Sequence, residues 1–293
     1  MRVILRGLVC AVAIAFSSVA LTQAPRNGLP AVSPDGRRIA FVRTGSGIDH
    51  LFVIGTDGTN EHEVLVPNVD GRMPRWTNDG EILFSGGGPD TGSVFAVNPD
   101  GGAPRRVASI PGRSPTLSPD GARVLYLVGP WTSTALAVAD KDGSNVRILA
   151  GGRATAWNGA WSPDGMRVAY AYGDSTRLLQ VHVVNSDGVG DRAVTSTTVD
   201  QGSAQLPAFS PDGRRLAMQV NNGPAHSSEI WVVDLSNGAI HRLSEPGLAY
   251  LDETPSWFPD GARLAFQSNR TGTMEVWLMN ADGSNARQIT GRR

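Results

Sequence analysis

Six times along the chain a short apolar segment runs into Pro-Asp-Gly or a close variant, and then into an apolar strand that carries arginine. The copies are Ser33-Pro34-Asp35-Gly36, Thr77-Asn78-Asp79-Gly80, Ser118-Pro119-Asp120-Gly121, Ser162-Pro163-Asp164-Gly165, Ser210-Pro211-Asp212-Gly213 and Phe258-Pro259-Asp260-Gly261. Their starts lie 44, 41, 44, 48 and 48 residues apart, the period of one four-stranded propeller blade. A second turn follows 21 to 25 residues after each first Asp: Asp57-Gly58, Asp100-Gly101, Asp142-Gly143, Asp187-Gly188, Asn237-Gly238 and Asp282-Gly283. Both turn families suit hairpins, because Gly takes positive φ without steric cost and the Asx side chain bonds nearby backbone.

Between the two turns run two apolar strands, such as 37–42 and 51–54. A short strand of pattern Pro-x-apolar precedes the first turn: Pro30-Ala31-Val32, Pro74-Arg75-Trp76, Pro115-Thr116-Leu117, Gly159-Ala160-Trp161, Pro207-Ala208-Phe209 and Pro255-Ser256-Trp257. A fourth strand follows the second turn. Sheets apolar on both faces need neighbours on both sides, and radial stacking supplies them. The expectation is an all-β, six-bladed β-propeller with four antiparallel strands per blade over about residues 29–68, 72–109, 113–150, 157–196, 205–245 and 253–290. The first blade opens with its innermost strand and the last closes with its outermost, so closure without strand exchange is expected.

The first 24 residues read as a signal peptide: Arg2 and Arg6, an apolar stretch from Leu8 to Phe16, and small residues at Ser18-Val19-Ala20 or Thr22-Gln23-Ala24. An apolar run of about 14 residues is short for a membrane span. Cys10, the single cysteine, falls within it, so no thiol, disulfide or cysteine-based metal site is expected in the propeller of residues 25–293. A periplasmic or secreted monomer follows. The formal net charge of −1 gives no field that would draw nucleic acid or an anionic membrane.

The repeat Trp257-Phe258-Pro259-Asp260-Gly261, the strand Arg263-Leu264-Ala265-Phe266, and Val276 to Thr290 with Asp282-Gly283-Ser284-Asn285 resemble the TolB-like β-propeller family, with its WD40-like Pro-Asp-Gly repeats. Recognisable copies cover about residues 29–290. The resemblance implies a propeller that binds a protein or peptide partner in the bacterial cell envelope. The α/β domain that precedes the propeller in TolB is expected to be missing, since Pro25 to Gly28 alone separate the signal from the first blade.

Alternation places all the Asp-Gly turns on one rim and the variable loops on the other, where binding residues are expected. Trp76, Trp161 and Trp257 share a core slot before the first turn. Trp131 and Trp157 fit no repeat slot and fall on the variable rim, where they can stack on a sugar, anchor a peptide, or pack on each other. Asp70 with Arg72, Arg113, Asn158, Gln205, and Asp252 with Glu253 each stand just before an innermost strand. They form a polar funnel for a peptide or small polar ligand, or a hydrated lining.

No metal site or cofactor is expected. His50, His62, His182, His226 and His241 lack ligand spacing, and Asp140-Lys141-Asp142-Gly143 lacks the glycine offset and closing Glu of a calcium loop. There is no Gly-x-Ser-x-Gly elbow and no phosphate-binding loop. The alternative to a non-enzymatic binder is a lyase- or lactonase-type propeller enzyme, acting on a carbohydrate or lactone with a metal at the channel mouth.

Overall fold

The chemistry of the repeat is visible at its first copy. Ser33 accepts the turn hydrogen bond from Gly36 N–H at 2.9 Å, while its own N–H reaches Arg38 O at 2.9 Å. Its hydroxyl donates to Asp35 Oδ1 at 2.6 Å and accepts from Arg38 N–H at 2.9 Å; the same Asp35 oxygen accepts from Arg37 N–H at 3.0 Å. Gly36 takes φ 68°, a conformation costly for residues with a Cβ. Ser118, Ser162 and Ser210 repeat the arrangement.

The structure, a computed structural model, describes residues 26–45, 48–64, 72–86, 92–110, 112–130, 132–151, 155–173, 178–222, 226–244 and 250–291. The proposed signal peptide lies outside them. They form six four-stranded antiparallel sheets, each with its strands in chain order, which is the six-bladed propeller. The innermost strands are Arg26–Val32, Arg72–Trp76, Arg113–Leu117, Thr155–Trp161, Ser203–Phe209 and Asp252–Trp257.

The core is divided among the seams between blades. Leu125, Leu136 and Val138 of blade three pack on Val168, Tyr170 and Val184 of blade four, and five similar clusters fill the other seams. At the last seam Ile39, Phe41 and Ile54 of blade one meet Phe258, Val276 and Leu278 of blade six. Phe258 explains its departure from the repeat there. It replaces the turn serine, is fully buried, and fills the closing seam. Arg263 takes over the serine's donation to the turn aspartate, from Nη2 to Asp260 Oδ2 at 2.9 Å. Each sheet draws its strands from one segment of chain, so the ring closes without strand exchange.

Every innermost strand also carries an irregularity of register near its middle. At that point Leu29, Met73, Ser114, Asn158, Leu206 and Thr254 all adopt φ between 50° and 54°. Six left-handed, non-glycine residues in equivalent places are one bulge repeated around the axis. The bulge divides each inner strand into a half toward the turn rim and a half toward the variable rim.

Candidate functional site

The half toward the turn rim places one residue per blade at an equivalent register position: Ala31, Arg75, Thr116, Ala160, Ala208 and Ser256, of which all but the buried Ala31 line one cavity. Five are small and one is arginine. Small side chains leave space, and a cavity of about 840 Å³ opens there, walled by Trp76, Trp161, Phe209 and Trp257. That volume lies within the range of natural ligand pockets.

The wall is rigid for identifiable reasons. Trp76, Trp161 and Trp257 each donate Nε1–H to a carbonyl of the preceding blade: Ala31 at 2.9 Å, Thr116 at 3.4 Å and Ala208 at 3.1 Å. An arginine of that preceding blade covers the ring, with Arg123 4.8 Å from the Trp161 centroid and Arg215 4.6 Å from that of Trp257. The tryptophans therefore staple blades together and also line the cavity.

Arg75 differs from the arginines that bridge the blade seams. Arg123, Arg167 and Arg215 each donate Nη2 to the turn-glycine carbonyl of the next blade at 2.8–2.9 Å. Arg75 bonds Pro74 O at 3.0 Å and makes no ion pair among the described residues. Its side chain is exposed, but to the cavity. The surrounding protein desolvates the guanidinium and lowers its pKa. Beyond Arg75 the channel narrows to a space of about 30 Å³ between Leu29, Met73, Asn158, Leu206 and Thr254.

On the variable side of that neck the register gathers several residues singled out from sequence. Gly28, Arg72, Arg113, Trp157, Gln205 and Glu253 occupy one equivalent position, just before the bulge. Trp157 thus has a repeat slot and lies in a strand, where it is half-buried against the cluster between blades three and four. Asn158 sits one place further on, in the bulge itself. Reading by turn spacing misplaces these two by one residue because the bulge breaks the alternation of the strand.

Glu253 is held by Gln267 Nε2 at 2.8 Å, Ser228 Oγ at 3.1 Å and Gln219 Nε2 at 3.2 Å. Gln205 pairs in register with that same Gln219. Gln267 in turn accepts from Leu29 N–H at 2.8 Å. A Cβ on Gly28 would stand 2.3 Å from Gln267 Oε1, so a larger residue there would push the Gln267 amide out of its place between the blades. Arg113 donates to Gly129 O at 2.7 Å, and Arg72 contributes its backbone to the ring. Asp252 is fully buried and bridged to Arg270, behind the funnel rather than in its wall. Asp70 and Trp131 lie outside the described residues.

Among the described residues no three His, Cys, Asp or Glu side chains gather to hold a metal ion. His50 contacts Glu63 at 2.6 Å, and His182 packs against Tyr170 and Tyr172. No helix among the described residues is long and apolar enough to cross a membrane.

Reasoning from sequence missed Arg75 and the wide turn-rim cavity. The signal was nonetheless printed in the Pro-x-apolar pattern, whose middle residue is small in five copies and Arg in the sixth.

A family model described as the TolB beta propeller domain matches residues 123–293. The chain is 26% identical over 232 residues to the uncharacterized protein Atu1656 of Agrobacterium fabrum, with 74% of each covered. It is 30% identical over 176 residues to the Tol-Pal system protein TolB of Bordetella pertussis, covering 56% of this chain and 36% of that protein. The match thus spans little more than a third of that TolB. Among solved structures, TolB from Acinetobacter baumannii aligns with TM-score 0.69 at 19% identity, covering 86% of this chain and 63% of that one. An oligogalacturonate lyase in complex with manganese aligns with TM-score 0.59 at 14% identity, covering 90% and 77%. Both structural likenesses speak to the fold alone. With more than half of its length matched by the family model, the chain belongs to the TolB beta propeller domain family.

Proposed function

We propose that the protein is an exported TolB-like propeller that binds a protein or peptide partner in the bacterial cell envelope and performs no chemistry on it. The observation that carries this reading is the turn-rim cavity of about 840 Å³. Aromatic faces beside cationic side chains, Arg75 next to the axis and Arg105, Arg106 and Lys141 further out, suit the binding of side chains and termini. No cluster of three His, Cys, Asp or Glu side chains that could hold a metal ion accompanies them among the described residues. At the opposite rim Arg113, Trp157, Gln205 and Glu253, with Arg72 and Asn158, offer a polar funnel for the same partner or for a small polar ligand. The lyase- or lactonase-type alternative ranks second, since it requires several ligands converging on one axial point.

The test is affinity capture from envelope extract with three baits. These are the wild type, Ala160→Leu/Ala208→Leu to fill the cavity, and Trp131→Ala/Trp157→Ala on the other rim. A discrete partner retained by the wild type and lost from the filled variant supports the cavity as its seat. Loss from the tryptophan pair alone moves the seat to the variable rim. A wild type that retains nothing above a scrambled-bait control defeats the reading.

A further inference from the structure

We propose that Arg75 is a carboxylate anchor at the floor of the turn-rim cavity, so that the ligand is a peptide that enters with a carboxylate leading and an aromatic or aliphatic side chain beside it. This rests on the reading of the cavity as the partner's seat. Of the six equivalent axial residues only Arg75 is charged, and its nearest counterparts around the ring are Ala31, Thr116, Ala160, Ala208 and Ser256. A guanidinium carries five N–H donors in a planar fork and keeps its charge. Here one bond, to the carbonyl of the preceding residue, uses part of that capacity.

The acids on the cavity wall are committed elsewhere. Glu81 is taken by Arg105, Asp120 by the Ser118 hydroxyl and Ala122 N–H, and Asp79 by Thr77. Desolvation lowers the pKa of Arg75 without an offsetting carboxylate, which is the situation that a bound anion relieves. A carboxylate meets the fork with two parallel hydrogen bonds. The parts of Trp161 and Trp257 that line the cavity, already fixed by their staples, supply apolar surface at little entropic cost. Carboxylate chemistry comes from a chain terminus or from an Asp or Glu side chain, and the probes must tell these apart.

The experiment titrates the propeller with N-acetyl-phenylalanine, N-acetyl-phenylalanine amide, and N-acetyl-glutamic acid α-amide, following the Arg75 Nε–H resonance. In parallel, N-terminally tethered peptide libraries with free or amidated C-termini are offered to wild type, Arg75→Gln and Arg75→Lys. Expected are a saturable shift with a carboxylate probe and none with the neutral amide, loss of that response in Arg75→Gln, and at least tenfold weaker retention of selected peptides, partly restored in Arg75→Lys. The free-acid and glutamate probes identify the source of the carboxylate. Equal response to acid and amide, or peptides held equally by wild type and Arg75→Gln, overturns the anchor and leaves peptide binding standing. A carboxylate response at Arg75 without peptide retention overturns the peptide assignment instead. Matching thermal midpoints of the variants confirm that folding is not the cause.

Discussion

Asn27, in the first strand of the propeller, donates its side-chain amide to Glu275 Oε2 in the last blade at 2.8 Å. Glu275 is buried and also accepts from Thr290 Oγ1 at 2.6 Å and Thr273 Oγ1 at 3.2 Å. Asn27 is fixed in turn by Arg43 Nε at 2.7 Å and by its own N–H to Met274 O at 2.9 Å. The two ends of a ring closed without strand exchange are thus tied by a polar clasp beside the apolar seam.

Removing one side of the clasp strands buried donors on the other. Glu275→Ala is expected to lower stability by about 2–3 kcal/mol, since each orphaned buried group costs on the order of 1–3 kcal/mol. The double variant with Asn27→Ala should lose less than the sum of the singles, by at least about 0.5 kcal/mol. Denaturant unfolding of the four proteins checks this, and strict additivity would show that the two residues do not act together.

Thr254 is the least suited of the six bulge residues to its conformation. It is β-branched at φ 52°, and its buried hydroxyl has no hydrogen-bond partner among the described residues. A left-handed L-residue costs roughly 1–2 kcal/mol, and glycine gives back about 0.5–1 kcal/mol in entropy. Thr254→Gly should therefore stabilise the propeller by about 1 kcal/mol, seen as a higher denaturant midpoint with unchanged slope. A lower midpoint would mean that the threonine methyl contributes more packing than its backbone loses.

Why the blades were legible and the cavity was not follows from the range of the interactions involved. The Ser33–Asp35–Gly36 turn is local, so spacing alone exposes six hairpins and the apolar strands between them. The bulge at Asn158 comes from a mismatch between two strands. It shifted Trp157 into the funnel ring, whereas turn spacing had put Asn158 there. Arg75 required a comparison across blades, because an arginine beside Trp76 becomes unusual only against the small residues at the same height in the other five sheets. The wide cavity is a property of that ring and of no single repeat.

The turn aspartates make stability dependent on acid pH. The Ser33, Ser118, Ser162 and Ser210 hydroxyls, with the backbone N–H two residues beyond each aspartate, hold Asp35, Asp120, Asp164 and Asp212 below the usual carboxylate range. A depressed native value means that the unfolded chain binds more protons in that interval, so stability rises with pH there. The contribution is complete above the unfolded aspartate value of about 4 and is lost as pH falls through the native values. Each site is exposed and individually weak. The thermal midpoint should drop on acidification below about pH 4, and the Ser118→Ala/Ser162→Ala/Ser210→Ala variant should start lower at neutral pH and fall less steeply. Parallel curves would remove the serines from the explanation.

Asp252 was read from sequence as a funnel residue, and the structure instead embeds it in a fork. Arg270 Nε meets Oδ1 at 3.1 Å and Nη2 meets Oδ2 at 2.5 Å, while the Ser244 hydroxyl donates to Oδ2 at 2.7 Å. Arg270 also lies 4.7 Å from the Tyr250 ring centroid. Breaking such a buried pair from one side leaves an uncompensated charge and costs about 3–5 kcal/mol. Arg270→Met should therefore unfold far earlier than wild type, and Asp252→Asn/Arg270→Met should recover much of the loss, because the remaining partner is then neutral. Equal instability of the single and double variants would assign the effect to lost contacts of the arginine stem. The outcome also governs how binding at the variable rim is tested. Partner loss in an Asp252 variant would report a weakened blade rather than a lost contact, so Asp252 is not a position at which binding there can be tested.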